Sequence, residues 1–154
     1  MARQFRISAK DNEAMLDAGA RLAGLLEAGD CLLLEGGLGA GKTTLARGII
    51  GALTGEAEVP SPTYTLVQTY GADAFEVWHA DLYRLESPRE VLPLGLIEMM
   101  DEVVSLVEWP ERMGDFRPLD ALVVRIGFDG DGRSVVLEAP QHSDWGDRLE
   151  RAGY

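Results

Sequence analysis

The sequence has a single cysteine, two lysines, one asparagine and no long apolar run. One cysteine cannot form an internal disulfide, and Cys31 lies in an apolar stretch, so we expect an inert, buried thiol in a reducing compartment. The apolar stretches are of strand length, far below the roughly 20 residues that cross a bilayer. The N-terminus lacks the apolar segment of a signal peptide. We therefore expect a soluble, cytoplasmic protein.

The charge balance is strongly acidic. The 154 residues carry a formal net charge of −12, which repels a polyanion, so we expect any work on RNA to go through a partner. The length suits one hydrophobic core. The sequence therefore predicts a single domain over residues 1–154, with a polar tail from about residue 140 that has no readable role.

The apolar pattern predicts alternating helices and strands. Ser8 and Asp11 have the spacing of a capping box, and a first helix is expected to start there and end near Gly29. Residues 31–35 form an apolar run that ends in Glu35, as in a strand buried on both faces, and residues 42–53 have helical spacing. This order predicts an α/β, P-loop NTPase-like fold of three layers, with helices flanking a mainly parallel sheet.

Turn residues predict antiparallel additions to that sheet. Two hairpins are expected, with turns at residues 71–73 and 129–132. A helix should begin at Ser87, where a proline follows, and continue to about Met100. Residues 103–107 form another short apolar strand.

A glycine-rich loop carries the clearest chemical signal. Residues 36–43 match G-x-x-x-x-G-K-[ST], in which glycines let backbone N–H groups approach phosphate oxygens at a helix N-terminus. Lys42 can reach the β- and γ-phosphates, and the Thr43 hydroxyl is a suitable Mg²⁺ ligand. The loop residues expected to bind nucleotide are Leu38, Gly39, Ala40, Gly41, Lys42, Thr43 and Thr44. Asn12 is the only asparagine, so the N-K-x-D guanine motif is absent and ATP is expected.

Two acidic residues follow predicted strands. Asp81 and Glu108 could project from the sheet edge to hold the metal and orient the attacking water, although a solvated acid is the alternative for each. His79 is either a proton shuttle or an ordinary strand histidine. Arg84 either stabilises transition-state charge or forms a surface pair.

Four motifs, taken in order, make the chain similar to the TsaE family. These bacterial ATPases support threonylcarbamoyl modification of the adenosine beside the anticodon in tRNA. The motifs are LGAGKTT at 38–44, SPTYTL at 61–66, HADLYRL at 79–85 and LVEWP at 106–110. The resemblance implies that Thr43 and Glu108 hold Mg²⁺, that Asp81 is the Walker-B-like acid of the metal site, and that Glu108 also orients water. It leaves the division of labour between the two acids open.

The resemblance also implies moving parts. Thr63 would lie in a first switch loop near the γ-phosphate and Trp109 in a second. Arg133 would lie on the outer side of the nucleotide, although a hairpin arginine is an equally good account. Gly37 and Pro60 depart from the family pattern, which has an acid at the first position and a basic residue at the second.

The family acts with the proteins TsaB and TsaD, so the resemblance implies that ATP binding assembles a complex and hydrolysis resets it. The tRNA would then be held chiefly by the partners. Without an assigned arginine finger, hydrolysis should be slow, on the order of 10⁻⁴ to 10⁻² per second. Two alternatives remain: a small-molecule kinase, which would need an arginine-rich lid, and a nucleotide-gated binding module in which hydrolysis is incidental.

Overall fold

Seven strands and four helices make up most of the chain in the computed structural model, which describes residues 2–55 and 66–154. The strands are β1 Arg3–Ala9, β2 Cys31–Glu35, β3 Val67–Gly71, β4 Glu76–Asp81, β5 Val104–Glu108, β6 Leu122–Asp129 and β7 Gly132–Ala139. The helices are α1 Asn12–Ala23, α2 Lys42–Thr54, α3 Leu96–Met99 and α4 Trp145–Arg151, with 3₁₀ segments at Pro88–Leu94 and Pro110–Phe116.

All seven strands belong to one sheet, in the order β1-β7-β6-β2-β5-β4-β3. The central strands β6, β2, β5 and β4 pair in parallel. The β3 strand joins one edge and the β7–β1 pair the other, all by antiparallel pairing. The predicted fold class is confirmed, and so are both hairpins.

The sheet is covered on both faces. Because neighbouring residues of a strand point to opposite faces, a single strand contributes side chains to both sides. On β2, Leu32 and Leu34 pack into a cluster with residues of α1, α2 and α4. Cys31 and Leu33 point the other way, into a second cluster with residues of α3 and the 3₁₀ segments. The strand predicted from its continuous apolar run is therefore buried on both faces.

Helices α1 and α2 touch through glycine. A Cβ added at Gly19 would lie 2.4 Å from the carbonyl oxygen of Leu45, and one at Gly48 would lie 2.3 Å from that of Leu16. Neither position has room for a side chain, so the two backbones are in direct contact. This contact fixes the position of α2, whose N-terminus follows the glycine loop.

The first predicted helix was wrong at both ends. Ser8 lies in β1, and α1 starts at Asn12 with the Asp11 side chain accepting from the Ala14 N–H at 2.9 Å. The helix ends at Ala23, well before Gly29. Gly24 is the C-cap of the helix, and further along the Gly29 N–H donates to the carbonyl of Val103, which ties this segment to the sheet.

The helix predicted from Ser87 to Met100 is divided. Ser87 and Glu90 form a capping box at its start, but the first part is a 3₁₀ segment. Gly95 then adopts a left-handed φ of 77°, which separates that segment from α3.

The polar tail was also misread. It contains α4, whose Trp145 and Leu149 are buried in the core cluster of α1 and α2. Arg148 is buried as well and forms an ion pair with Asp30 at 2.6 Å. Charged residues hide the apolar face of this short helix in the sequence. In the described part of the chain, no helix is long and apolar enough to cross a membrane.

Candidate phosphate-binding site

The functional candidates gather at one edge of the sheet. Strands β1, β2, β4, β5 and β6 run in the same direction, so their carboxyl ends share that edge. The glycine loop follows β2, while Asp81 ends β4 and Glu108 ends β5. Ligands of open α/β sheets bind at this edge.

The glycine loop leads into α2, whose first turn has no side-chain cap. Gly39 and Gly41 have φ values of 74° and 114°, which disfavour any residue with a side chain. Gly41 is the N-cap of α2 and offers no side-chain hydrogen bond, and the first turn contains no acidic residue. The N-terminal amides and the positive end of the helix dipole are therefore left for an anion.

Lys42 lies inside the loop, with 5% of its surface exposed. Its Nζ donates to the carbonyls of Gly36 at 2.5 Å and Gly37 at 2.9 Å, and lies 4.1 Å from the ring centroid of Trp109. Burial lowers the pKa of the ammonium, and the charges of Glu108, Asp81 and Glu111 oppose that shift. A cation in this position can move a short distance to a phosphate oxygen.

Thr43 and Glu108 meet directly, although 65 residues separate them. The Thr43 Oγ1 donates to the two carboxylate oxygens at 2.9 and 3.1 Å. Asp81 is the register partner of Glu108 on the neighbouring parallel strand. Burial raises the pKa of the Asp81 carboxyl, while the hydrogen bond that it accepts from the Tyr83 N–H acts to lower that pKa. One hydroxyl and two carboxylates thus converge beside the loop.

These groups border a cavity of about 560 Å³. Its lining comes from the loop, the strand ends, the start of α1 and the β6–β7 hairpin, and comprises Lys10, Asp11, Asn12, Met15, Leu38, Gly39, Ala40, Gly41, Lys42, Thr43, Thr44, Asp81, Glu108, Trp109, Asp131, Gly132 and Arg133. The two lysines of the sequence both lie on this surface.

Arg133 joins the hairpin to the loop. Its guanidinium donates to the carbonyl of Ala40 at 2.9 Å and to that of Gly39 at 3.3 Å. The same group lies 4.3 Å from the ring centroid of Phe128. Arg133 therefore supports the loop backbone from the hairpin, and its place on the outer side of the nucleotide stays a prediction.

Trp109 follows Glu108 and has a left-handed φ of 58°, which is uncommon for a residue with a large side chain. Its ring contacts Lys42 and lies 4.9 Å from the Tyr83 ring, centroid to centroid. The residue is half-buried at the cavity wall.

Some sequence predictions fall elsewhere. Thr63 and Pro60 lie outside the described residues, and with them the first switch loop. Arg84 is exposed and does not line the described cavity. A Cβ at Gly37 would meet no atom within 4 Å, so packing does not explain why glycine stands where the family pattern has an acid.

Sequence reasoning missed two parts of the site. Lys10 and Asn12 reach the cavity because β1 delivers them to the carboxyl edge, and the alternation of Phe5, Ile7 and Ala9 was the available signal for that strand. His79 is fully buried, and its Nε2 lies 2.6 Å from Glu108 Oε2. No local pattern could reveal a contact between residues 29 positions apart.

The donor set suits a metal that is shared with a ligand. Across residues 2–55 and 66–154, no group of three or more His, Cys, Asp or Glu side chains is arranged to hold a metal ion. Hydroxyl and carboxylate oxygens fit Mg²⁺, which is commonly bound by one or two protein groups together with phosphates and water. The residues present thus fit Mg²⁺ carried with a phosphate ligand.

Known proteins resemble this chain closely. The family model described as threonylcarbamoyl adenosine biosynthesis protein TsaE matches residues 9–135. A tRNA threonylcarbamoyladenosine biosynthesis protein TsaE from Nostoc sp. PCC 7120 is 40% identical over 133 residues, covering 82% of this chain and 80% of the relative. The Haemophilus influenzae protein of the same name is 36% identical over 135 residues, covering 84% and 85%. A crystal structure of Bacillus subtilis YdiB superposes with a TM-score of 0.83 at 27% identity, covering 99% of this chain and 95% of that one.

Proposed function

This chain belongs to the TsaE family of tRNA threonylcarbamoyladenosine biosynthesis proteins, and on that premise we propose that it binds ATP with Mg²⁺ and hydrolyses it slowly. It acts in the cytoplasm with the partner proteins TsaB and TsaD. ATP binding assembles the complex and hydrolysis resets it.

One observation carries the proposal. The uncapped N-terminus of α2, the buried Lys42 ammonium and the Thr43–Glu108 contact face the same cavity. An anion site, a cation that can follow a phosphate, and hard oxygen ligands are the parts that ATP with Mg²⁺ requires. A structural glycine turn would have no need of the two acids beside it.

Each residue has a defined part. Backbone amides of residues 38–44 hold the phosphates, and Lys42 leaves the carbonyls of Gly36 and Gly37 for the β- and γ-phosphate oxygens. Thr43 and Glu108 hold Mg²⁺, which when bound neutralises charge on the transferred phosphoryl group, and Asp81 supports that site from the next strand. Glu108 also orients the attacking water.

Slow turnover follows from the arginines. Among the described residues that line the cavity, Arg133 is the sole arginine, and its guanidinium already bonds to the loop carbonyls of Gly39 and Ala40. An arginine finger is worth roughly 10³ to 10⁵ in rate. Without one, the isolated chain should hydrolyse ATP slowly, and a partner is free to supply the missing charge.

Thermal melting with ATP and Mg²⁺ tests the binding proposal. At a hundredfold excess over the dissociation constant, the unmodified chain should gain about 2.7 kcal/mol of stability. Lys42→Ala should lose that gain relative to its own ligand-free baseline. Glu102→Gln removes an exposed acid and should keep it. A full gain in Lys42→Ala would refute the assignment of the phosphate loop.

Reconstituted tRNA modification with TsaB and TsaD tests the role of hydrolysis. At saturating Mg²⁺, Glu108→Gln should keep most of the ATP-dependent stabilisation, because the loop amides and Lys42 hold the phosphates, while losing phosphate release, and modification should stop after about one round. Many rounds of modification by this variant would show that ATP binding is the function and hydrolysis is incidental. Phosphate transfer to a small acceptor in place of water would instead favour a kinase.

A further inference from the structure

Glu108 is held from two sides in a buried setting. Thr43 donates to both of its carboxylate oxygens, and His79 Nε2 approaches Oε2 at 2.6 Å. Glu108 is 2% exposed and His79 is not exposed at all. The proposed function uses the contact with Thr43, which faces the cavity, but gives no role to the contact with His79 behind it.

Strand geometry sets this second contact. His79 and Asp81 point to the same face of β4, because they are two residues apart. The register pairs His79 with Leu106 and Asp81 with Glu108 on the parallel strand β5. The imidazole therefore lies one step further from the cavity than the two carboxylates, where it contacts Glu108 from behind.

The hydrogen-bond pattern assigns the proton. An ionised carboxylate can only accept, so His79 must donate through Nε2–H. Nδ1 is buried and has no hydrogen-bond partner among the described residues. The 2.6 Å contact is thus a hydrogen bond that His79 donates and Glu108 accepts.

We propose that His79 is a positioning residue for Glu108. The short hydrogen bond fixes the orientation of the carboxylate, so that its oxygens stay within reach of Thr43 rather than rotating within the pocket. His79 is fully buried and does not line the cavity, so it is placed to orient Glu108 and not to contact a ligand or solvent. This inference rests on the proposed function of Glu108 in Mg²⁺ binding and hydrolysis.

A matched pair of substitutions tests the role. His79→Gln keeps an N–H donor at nearly the position of Nε2, whereas His79→Met has similar length and no donor. Each protein is melted without ligand, titrated with a fluorescent ATP analogue, and titrated with Mg²⁺ at saturating nucleotide. Steady-state hydrolysis gives kcat and KM.

Loss of the donor should act on the metal and the chemistry more than on the nucleotide. For His79→Met, we expect kcat to fall and the half-saturating Mg²⁺ concentration to rise, each by roughly 10- to 100-fold, as for other groups that orient metal ligands. KM and the affinity for the nucleotide analogue should change little, because the loop amides hold the phosphates. His79→Gln should restore most of kcat and of the Mg²⁺ response.

Three results would overturn the inference. Equal kcat and Mg²⁺ response in the Gln and Met variants would mean that the ring only fills space. Met behaving like the unmodified chain would mean that Thr43 alone positions Glu108. If the unmodified chain neither bound nor hydrolysed ATP, the proposed function would fail and this role with it, an outcome that the parallel assay of the unmodified protein identifies.

Discussion

Replacing Arg148 with methionine should lower the free energy of unfolding by about 3–5 kcal/mol, because it leaves a nearly buried carboxylate without its cation. The guanidinium binds Asp30 with two hydrogen bonds, at 3.0 and 2.6 Å, and also donates to the Leu25 carbonyl. The side chains are 9% and 13% exposed. The N–H of Glu27 still donates to the Asp30 carboxylate at 2.7 Å in the variant, so that charge keeps one partner and the loss of stability should not exceed about 5 kcal/mol.

Arg3 of β1 offers a matched control, because it forms ion pairs with the same helix, α4. It pairs with Asp147 and Glu150 of α4, but its side chain is 47% exposed and its partners are 72% and 67% exposed. Exposed pairs contribute about 0–1 kcal/mol. At about 2–4 °C of melting temperature per kcal/mol, Arg148→Met should lower Tm by roughly 6–20 °C and Arg3→Met by no more than about 4 °C.

A double-mutant cycle in urea unfolding measures the interaction energy between Arg148 and Asp30. It compares the single variants Arg148→Met and Asp30→Asn with the double variant Asp30→Asn/Arg148→Met, and Arg3→Met is unfolded in parallel as the control. Because the double variant has no stranded charge, its loss should be smaller than the sum of the two single losses. The reasoning fails if Arg148→Met is no more destabilising than Arg3→Met. It also fails if the double variant is simply additive.

Two further predictions concern packing. Gly48→Ala should lower the free energy of unfolding in urea by about 1–3 kcal/mol, because its Cβ would lie 2.3 Å from the Leu16 carbonyl oxygen. Gly24→Ala should be tolerated, since the atom nearest to its Cβ is 3.6 Å away, and equal stability of the two variants would contradict the α1–α2 contact. Burial raises the pKa of Cys31 to about 12, so the native thiol should resist a disulfide reagent at pH 8 and react only after unfolding; rapid labelling of the native protein would refute this. For the same reason, the contribution of the buried thiol to stability should be lost as the pH rises from about 9 toward 12.

Local pattern was enough for the centre of the fold. The apolar run predicted β2, and the glycine loop with the helical spacing behind it predicted α2, because both depend on neighbours in sequence. The adjacency of Asp81 and Glu108 followed from a general rule, that carboxyl ends of parallel strands share an edge. The confirmed fold class rests on these elements.

Long-range pairing decided what the sequence could not reveal. Arg3 pairs with Ala139 in the register of β1 and β7, and Arg148 reaches Asp30 across 118 positions. No window of sequence contains both members of such a pair, so the place of β1 in the sheet and the packing of α4 were missed. The contact between His79 and Glu108 has the same origin, since it depends on the register of two strands.

The groups that stabilise the fold and those proposed to bind the ligand lie at opposite ends of one strand. Asp30 precedes β2 and receives Arg148, whereas the glycine loop follows Glu35 at the other end, roughly 16 Å away for five residues. Loss of the Arg148 pair should therefore lower the ligand-free Tm while leaving the stabilisation by ATP and Mg²⁺ near that of the unmodified chain. If the variant lost both its ligand-free stability and its stabilisation by ATP and Mg²⁺, α4 would have to support the glycine loop as well. The connection would run from β1 to its neighbour β7 in the β6–β7 hairpin, whose Arg133 bonds to the loop.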